Sequence, residues 1–221
     1  MDSITTPIMA QIKFNNICMS FPDKLLFTNV NGSVSSGECL ALTGPNGSGK
    51  STMIKILARL LRQSSGEVSI TLNAKNASDT AYRSAIGMIA PYLEYYNMLT
   101  GLENIALFSQ LRGKAYCGRQ ALNLLDKVDL RSNADRLTQT YSTGMKQRLK
   151  WAVLAMADPP IWLLDEPFAY LDDYGRTLVL EMLTDAQNRQ RAIVIATNDA
   201  KEAKLAQTVL TLVKSGTFIA R

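Results

Sequence analysis

An α/β fold is predicted for this 221-residue sequence, with a mainly parallel, covered sheet and an inserted helical lobe. Three observations predict it. Short apolar runs alternate with helical patterns, which is how a sheet covered on both faces reads in sequence. A glycine-rich loop at residues 44–49 joins one such run to a helix. Between residues 91 and 156 strand patterns stop and helical spacing dominates.

Taken in order, residues 11–18 alternate in part and residues 39–43 are short and apolar, so both read as strands, with a turn at Ser35, Ser36 and Gly37 between them. Residues 51–61 place Met53, Ile54, Ile56, Leu57, Leu60 and Leu61 at helical spacing. Residues 66–72 and 85–89 read as strands. Helices are expected at 103–111, 120–128 and 146–156. Strands return at 161–164, 192–197 and 207–213, and a helix carrying Leu178, Val179, Leu180, Met182 and Leu183 lies between the first two. The lobe is thus expected at 91–156, and the core at 1–90 and 157–221.

Composition excludes whole classes. A hydrophobic fraction of 47% and a charged fraction of 19% rule out a disordered or coiled-coil chain. The longest stretch without Asp, Glu, Lys or Arg runs over 25–37, only 13 residues, whereas a spanning helix needs about 20. The net charge of +5 comes from scattered basic residues, so it reads as a solvated surface, and no direct nucleic-acid contact is expected. Cys18, Cys39 and Cys117 lie far apart and odd in number, which argues against a disulfide framework or zinc site and for a reducing compartment. Histidine is absent, so no imidazole base is available. Asp2 and the lack of a basic-then-apolar layout give no expectation of a signal peptide.

Three segments carry chemistry. Gly44, Pro45, Asn46, Gly47, Ser48, Gly49, Lys50 and Ser51 match G-x-x-x-x-G-K-[ST] in full. Glycines let backbone N–H groups approach phosphate oxygens, and the following helix turns its positive end toward the same anion. Lys50 adds a charge for the terminal phosphates, and the Ser51 hydroxyl suits Mg²⁺. Residues 161–164 form an apolar strand ending in Asp165 and Glu166. A carboxylate there is costly without a cation, so Asp165 is expected to hold Mg²⁺ and Glu166 to orient and deprotonate an attacking water. Between the two, Tyr141, Ser142, Thr143, Gly144 and Met145 open a helix at which Ser142 is a natural N-cap.

Together these residues resemble the nucleotide-binding subunit of ATP-binding cassette (ABC) transporters over nearly the whole chain. Gly44 to Thr52 is similar to the family's Walker A motif, Tyr141 to Gln147 to its signature, Leu163 to Glu166 to its Walker B motif, and Ala169 to Asp172 to its D-loop. Phe21 falls where the family keeps an aromatic on adenine. The resemblance implies a P-loop NTPase core with antiparallel N-terminal strands, and ATP with Mg²⁺ as cofactors. It also implies that two such subunits, alike or different, pack head to tail, so that Ser142, Thr143, Gly144 and Met145 of one complete the nucleotide site of the other. The dimer would drive a membrane permease from the cytoplasmic face of the cell membrane. Tyr92, Tyr95 and Tyr96 lie where the family docks its membrane partner. The run from Trp162 to Phe168 is similar to the cytochrome c biogenesis cassette tied to haem delivery.

Two positions depart from the family pattern. Pro91 stands where the family has a Gln near Mg²⁺, and Asn198 replaces its switch histidine. An Asn amide donates to a γ-phosphate but relays no proton. Slow hydrolysis is therefore expected, with an ATP-binding clamp of little turnover as the alternative. A small nucleotide kinase would share the glycine loop and lack the signature. A soluble cassette acting on nucleic acid would usually carry two cassettes or coiled-coil arms.

Overall fold

The computed structural model describes residues 8–212 and the backbone of Phe218–Ala220. Asp2, Val213 and Arg221, used in the reading above, lie outside the described side chains. The chain divides into two compact units, Met1–Met88 with Pro160–Asp165 and Gln187–Arg221, and Ile89–Pro159 with Glu166–Ala186. The expected lobe of 91–156 falls within the second unit, which also takes in Glu166–Ala186.

The first unit opens with β1 (Ala10–Phe21) and β2 (Lys24–Ser35), an antiparallel pair. β3 (Cys39–Thr43) is buried over its first four residues and leads through the glycine loop into α1 (Lys50–Leu57). β4 (Ser65–Leu72) and β5 (Lys75–Asn76) follow, then α2 (Asp79–Ala85) and β6 (Ile86–Ile89). The second unit contributes α3 (Gly101–Leu111), α4 (Gly118–Lys127) and α5 (Thr143–Ala157). β7 (Ile161–Asp165) belongs to the first unit, and α6 (Asp173–Asn188) lies mainly in the second. β8 (Ala192–Ala196), α7 (Ala200–Ala203), β9 (Thr208–Leu212) and β10 (Phe218–Ala220) finish the first unit.

Two sheets form. One has the order β2-β1-β4-β5 and is antiparallel; the other has the order β10-β9-β3-β8-β7-β6. In the second sheet β3 pairs parallel with β8 and β9, and β7 parallel with β8. All five residues of β7 and of β8 are buried, the burial that the apolar runs Ile161–Leu164 and Ala192–Ala196 require, and Asp165 is buried with them. The core of this unit joins Ile12, Phe14 and Phe27 of the antiparallel sheet with Met53 and Ile54 of α1 and Val194 of β8.

Several expectations need correction. The helix read over 51–61 stops at Leu57, because Arg59 adopts φ 55° and Leu60 turns out to solvent at 62% exposure. Arg59 is occupied elsewhere, pairing with Asp79 at 2.7 Å and lying 3.7 Å over the Tyr82 ring. β2 was hidden by its Asn, Ser and Gly content. Asn29 takes φ 51° and breaks the period of two, and at Gly32 any Cβ would overlap the Phe14 ring. α2 precedes the strand expected from Ala85, with Ser78 capping it through Ala81 N at 3.3 Å.

In the second unit, α3, α4 and α5 pack on one another. Asn104 is fully buried on α3, and its side chain holds the loop before the helix. It donates to the carbonyls of Tyr96, Leu99 and Thr100 and accepts from Tyr96 N at 3.0 Å. The three cysteines are free, and burial pushes the Cys39 thiol up to about 12. Among the described residues no helix is long and apolar enough to cross a membrane.

Candidate nucleotide-binding site

The loop between β3 and α1 is shaped by three glycines with positive φ, Gly44, Gly47 and Gly49. They serve different ends. A Cβ on Gly47 would meet nothing within 4 Å, so its freedom faces open space, whereas one on Gly49 would sit 2.9 Å from the Leu26 and Phe27 side chains. Gly49 is the N-cap of α1 and offers no side chain, so no side-chain oxygen caps the first turn. The amides that begin a helix then point at whatever anion lies before them.

Polar atoms gather at the same loop. Lys50 is only 6% exposed, and its Nζ folds back to donate to Gly44 O at 2.8 Å and Pro45 O at 3.2 Å. Ser48 Oγ is buried and has no hydrogen-bond partner among the described residues. A buried hydroxyl without a partner costs about 1–3 kcal/mol, which an acceptor such as a phosphate oxygen would return. Ser51 Oγ donates to Asp165 Oδ1 at 3.0 Å. Asp165, at the end of β7, is 1% exposed. Burial pushes its carboxyl above the usual range, against the Ser51 hydrogen bond and the charges of Lys50 and Lys55. A hydroxyl beside a desolvated carboxylate is a donor set for a hard cation such as Mg²⁺.

Asn198, just past β8, donates through Nδ2 to Asn46 Oδ1 at 3.0 Å. The residue read at the switch position is therefore tied to the glycine loop, a contact that sequence reasoning missed because 152 residues separate the pair. Thr52 continues α1 and is half-buried. Phe21 ends β1 at 46% exposure, paired through its backbone with Lys24. Hydrogen bonds thus join Asn46, Ser51, Asp165 and Asn198 in two pairs around the loop that Lys50 closes. Phe21 is not among them.

The second unit holds the other predicted residues. Ser142 caps α5, accepting from Met145 N at 3.2 Å, and stays exposed beside exposed Thr143. Gly144 has a packing reason the sequence did not reveal, since its Cβ would lie 3.1 Å from Tyr170 O. Glu166 is half-buried with φ 46°. Pro91 is exposed in a turn where Leu93 N donates to Ala90 O at 3.2 Å. Lys150, within the helix expected at 146–156 and given no role there, donates to Ala90 O at 2.9 Å; burial holds its amine below the usual range and Glu94 partly restores it.

The family described as ABC transporter matches residues 27–169. The chain belongs to the ABC transporter family. It is an ATP-binding domain of that family, and its relatives agree with this. A Nod factor export ATP-binding protein of Burkholderia orbicola is 32% identical over 96% of this chain and 70% of its own length. An osmoprotectant import ATP-binding protein of Salmonella typhimurium is 32% identical over 87% of this chain and 53% of its own. Neither is named as a haem exporter. This ABC domain also shares its fold with solved structures. An ATP-binding subunit of an ABC transporter superposes with a TM-score of 0.84 at 24% identity, covering 95% of this chain and 89% of that one. A dimeric, post-hydrolysis cassette bound to ADP and Pi superposes with a TM-score of 0.82 at 24% identity, covering 95% and 97%.

Proposed function

We propose that this ABC domain binds Mg²⁺-ATP at the loop of Gly44 to Thr52 and hydrolyses it to drive a separate membrane permease. The observation that carries the reading is the buried Ser48 Oγ, without a hydrogen-bond partner among the described residues, in the same loop whose carbonyls of Gly44 and Pro45 accept from the Lys50 amine. Lys50 can leave those carbonyls for the terminal phosphates, and the amides of Gly47, Ser48 and Gly49 can turn to their oxygens. Ser51 and Asp165 would hold Mg²⁺, which neutralises phosphate charge when bound. Glu166, the next residue in the chain, orients a water and takes its proton. Phe21 stacks on the adenine. Ser142, Thr143, Gly144 and Met145 of a second subunit, identical or related, close the far side. The domain then works at the cytoplasmic face of the membrane, with cargo and direction left to the permease. Relatives of equal identity named for export and for import support that division.

Removing the Lys50 amine tests the site. Lys50→Ala should weaken nucleotide binding by roughly 10- to 100-fold, the worth of a charge-assisted hydrogen bond. Wild-type affinity in an equilibrium titration would refute the phosphate loop. Hydrolysis is slow in this reading, because the amide of Asn198 can donate but cannot relay a proton. Asn198→His should raise kcat; an unchanged or lower rate in a steady-state assay would show that Asn198 does not limit turnover.

A further inference from the structure

The segment after β7 makes a turn that its sequence resists. Glu166 sits at φ 46°, the left-handed region, and is followed by Pro167, a residue that steers its predecessor toward extended backbone. A conformation of this kind persists where neighbours over-determine it. Ala169 N donates to Glu166 O at 3.1 Å and closes the turn. One peptide along, the carbonyl of Pro167 is taken twice. Gln147 Nε2 donates to it at 2.7 Å and Trp151 Nε1 at 3.2 Å. A carbonyl oxygen has two lone pairs, and both are used here.

The two donors stand four residues apart on α5, hence on one face of the helix. Both are buried, Gln147 at 3% and Trp151 at 0% exposure. Behind them, the Phe168 ring lies 6.0 Å from that of Trp151, and the Arg176 guanidinium lies 5.8 Å over Phe168. Phosphate and Mg²⁺ chemistry makes no use of an indole N–H or of a buried amide on α5. Their shared target is the carbonyl of Pro167, the residue that follows Glu166.

We propose that Gln147 and Trp151 are positioning residues for Glu166, clamping the Pro167 carbonyl so that the carboxylate keeps the direction its left-handed backbone imposes. The proposal rests on Glu166 being the general base. Without the clamp, the backbone at 166 relaxes toward the extended region that a residue before proline prefers, and the carboxylate swings off the line of the attacking water. A displacement near 1 Å costs on the order of 10²-fold in rate.

The test uses Trp151→Phe, which keeps a ring against Phe168 and removes the N–H, and Gln147→Met, which keeps the length and removes the donor. Each should lower kcat about tenfold, and the double variant about 100-fold, with KM for ATP and nucleotide affinity unchanged. In a Glu166→Gln background neither should cause further loss. If Glu166→Gln is slow while a folded double variant keeps wild-type kcat, the clamp is refuted and the base stands. Equal losses with and without Glu166 refute it as well, because the effect then does not pass through that residue. If Glu166→Gln turns over at full rate, the base reading fails first and takes the clamp with it. A readout free of turnover is the ¹³C side-chain signal of Glu166 in the nucleotide-free protein. It should shift in Trp151→Phe, and an unmoved signal overturns the proposal.

Discussion

Asp165 holds a carboxyl group at 1% exposure, accepting from Ser51 Oγ and feeling the charges of Lys50 and Lys55. Its carboxyl is raised by burial, so it holds a proton more tightly folded than unfolded. The sign follows: the ionised group lowers the stability of the nucleotide-free chain, and stability falls as pH rises through the folded pKa. Asp165→Asn, which keeps an oxygen to accept from Ser51, should therefore raise the thermal midpoint near neutral pH by a few degrees and flatten its pH dependence. The same variant should lose Mg²⁺-dependent gain in nucleotide affinity. Thermal melts across pH check the first point, and a lower midpoint than wild type would contradict it. At this scale the glycine loop was legible because its demands are local: positive φ, absent Cβ and a lysine at a set spacing. Ser48 and Gly144 were legible only as motif letters. Their surroundings, burial of Ser48 Oγ without a hydrogen-bond partner among the described residues and the Tyr170 carbonyl beside Gly144, exist only in the folded chain.

Among the elements, β3, β7 and β8 could be read from sequence almost to the residue, since a strand buried on both faces must be apolar throughout. α3 was legible from its third residue, Glu103, onward, and its start at Gly101 follows from a capping box. Thr100 Oγ1 accepts from Glu103 N at 3.1 Å, and Glu103 Oε2 accepts from Thr100 N at 2.7 Å. β2 was not legible. Its inward residues Phe27, Val30 and Val34 are spaced irregularly because Asn29 takes a left-handed turn, so the period of two never appears. α1 erred the other way. Leu60 and Leu61 continue the helical period on paper, yet Arg59 leaves the helix to meet Asp79 and Tyr82. α5 is where an element does more than its pattern suggests. Trp151 fits an apolar helix face, as its spacing implies, and its N–H still finds a carbonyl from outside the helix.

For the whole molecule the proposed cycle depends on a second subunit, because in the proposed function Ser142 and Gly144, at the exposed to half-exposed start of α5, complete the nucleotide site of a partner. A variant that binds ATP and cannot hydrolyse it should stay closed. Glu166→Gln with Mg²⁺-ATP is expected to lower turnover at least about 100-fold and to elute at twice the monomer mass, while the ADP form elutes as monomer. A monomer under both conditions by light scattering would count against head-to-tail closure. Local chemistry was enough to pick out the glycine loop, the acid pair of Asp165 and Glu166 and the family, since each is written in a few consecutive residues whose backbone freedom and charge act at short range. Which side chains meet was settled by folding. Ser51 reaches Asp165 across 114 positions and Asn198 reaches Asn46 across 152, because parallel pairing sets β3 beside β8 and β8 beside β7, bringing the three strand ends to one edge. Strand order of that kind is a property of the packed sheet, which no window of the chain records.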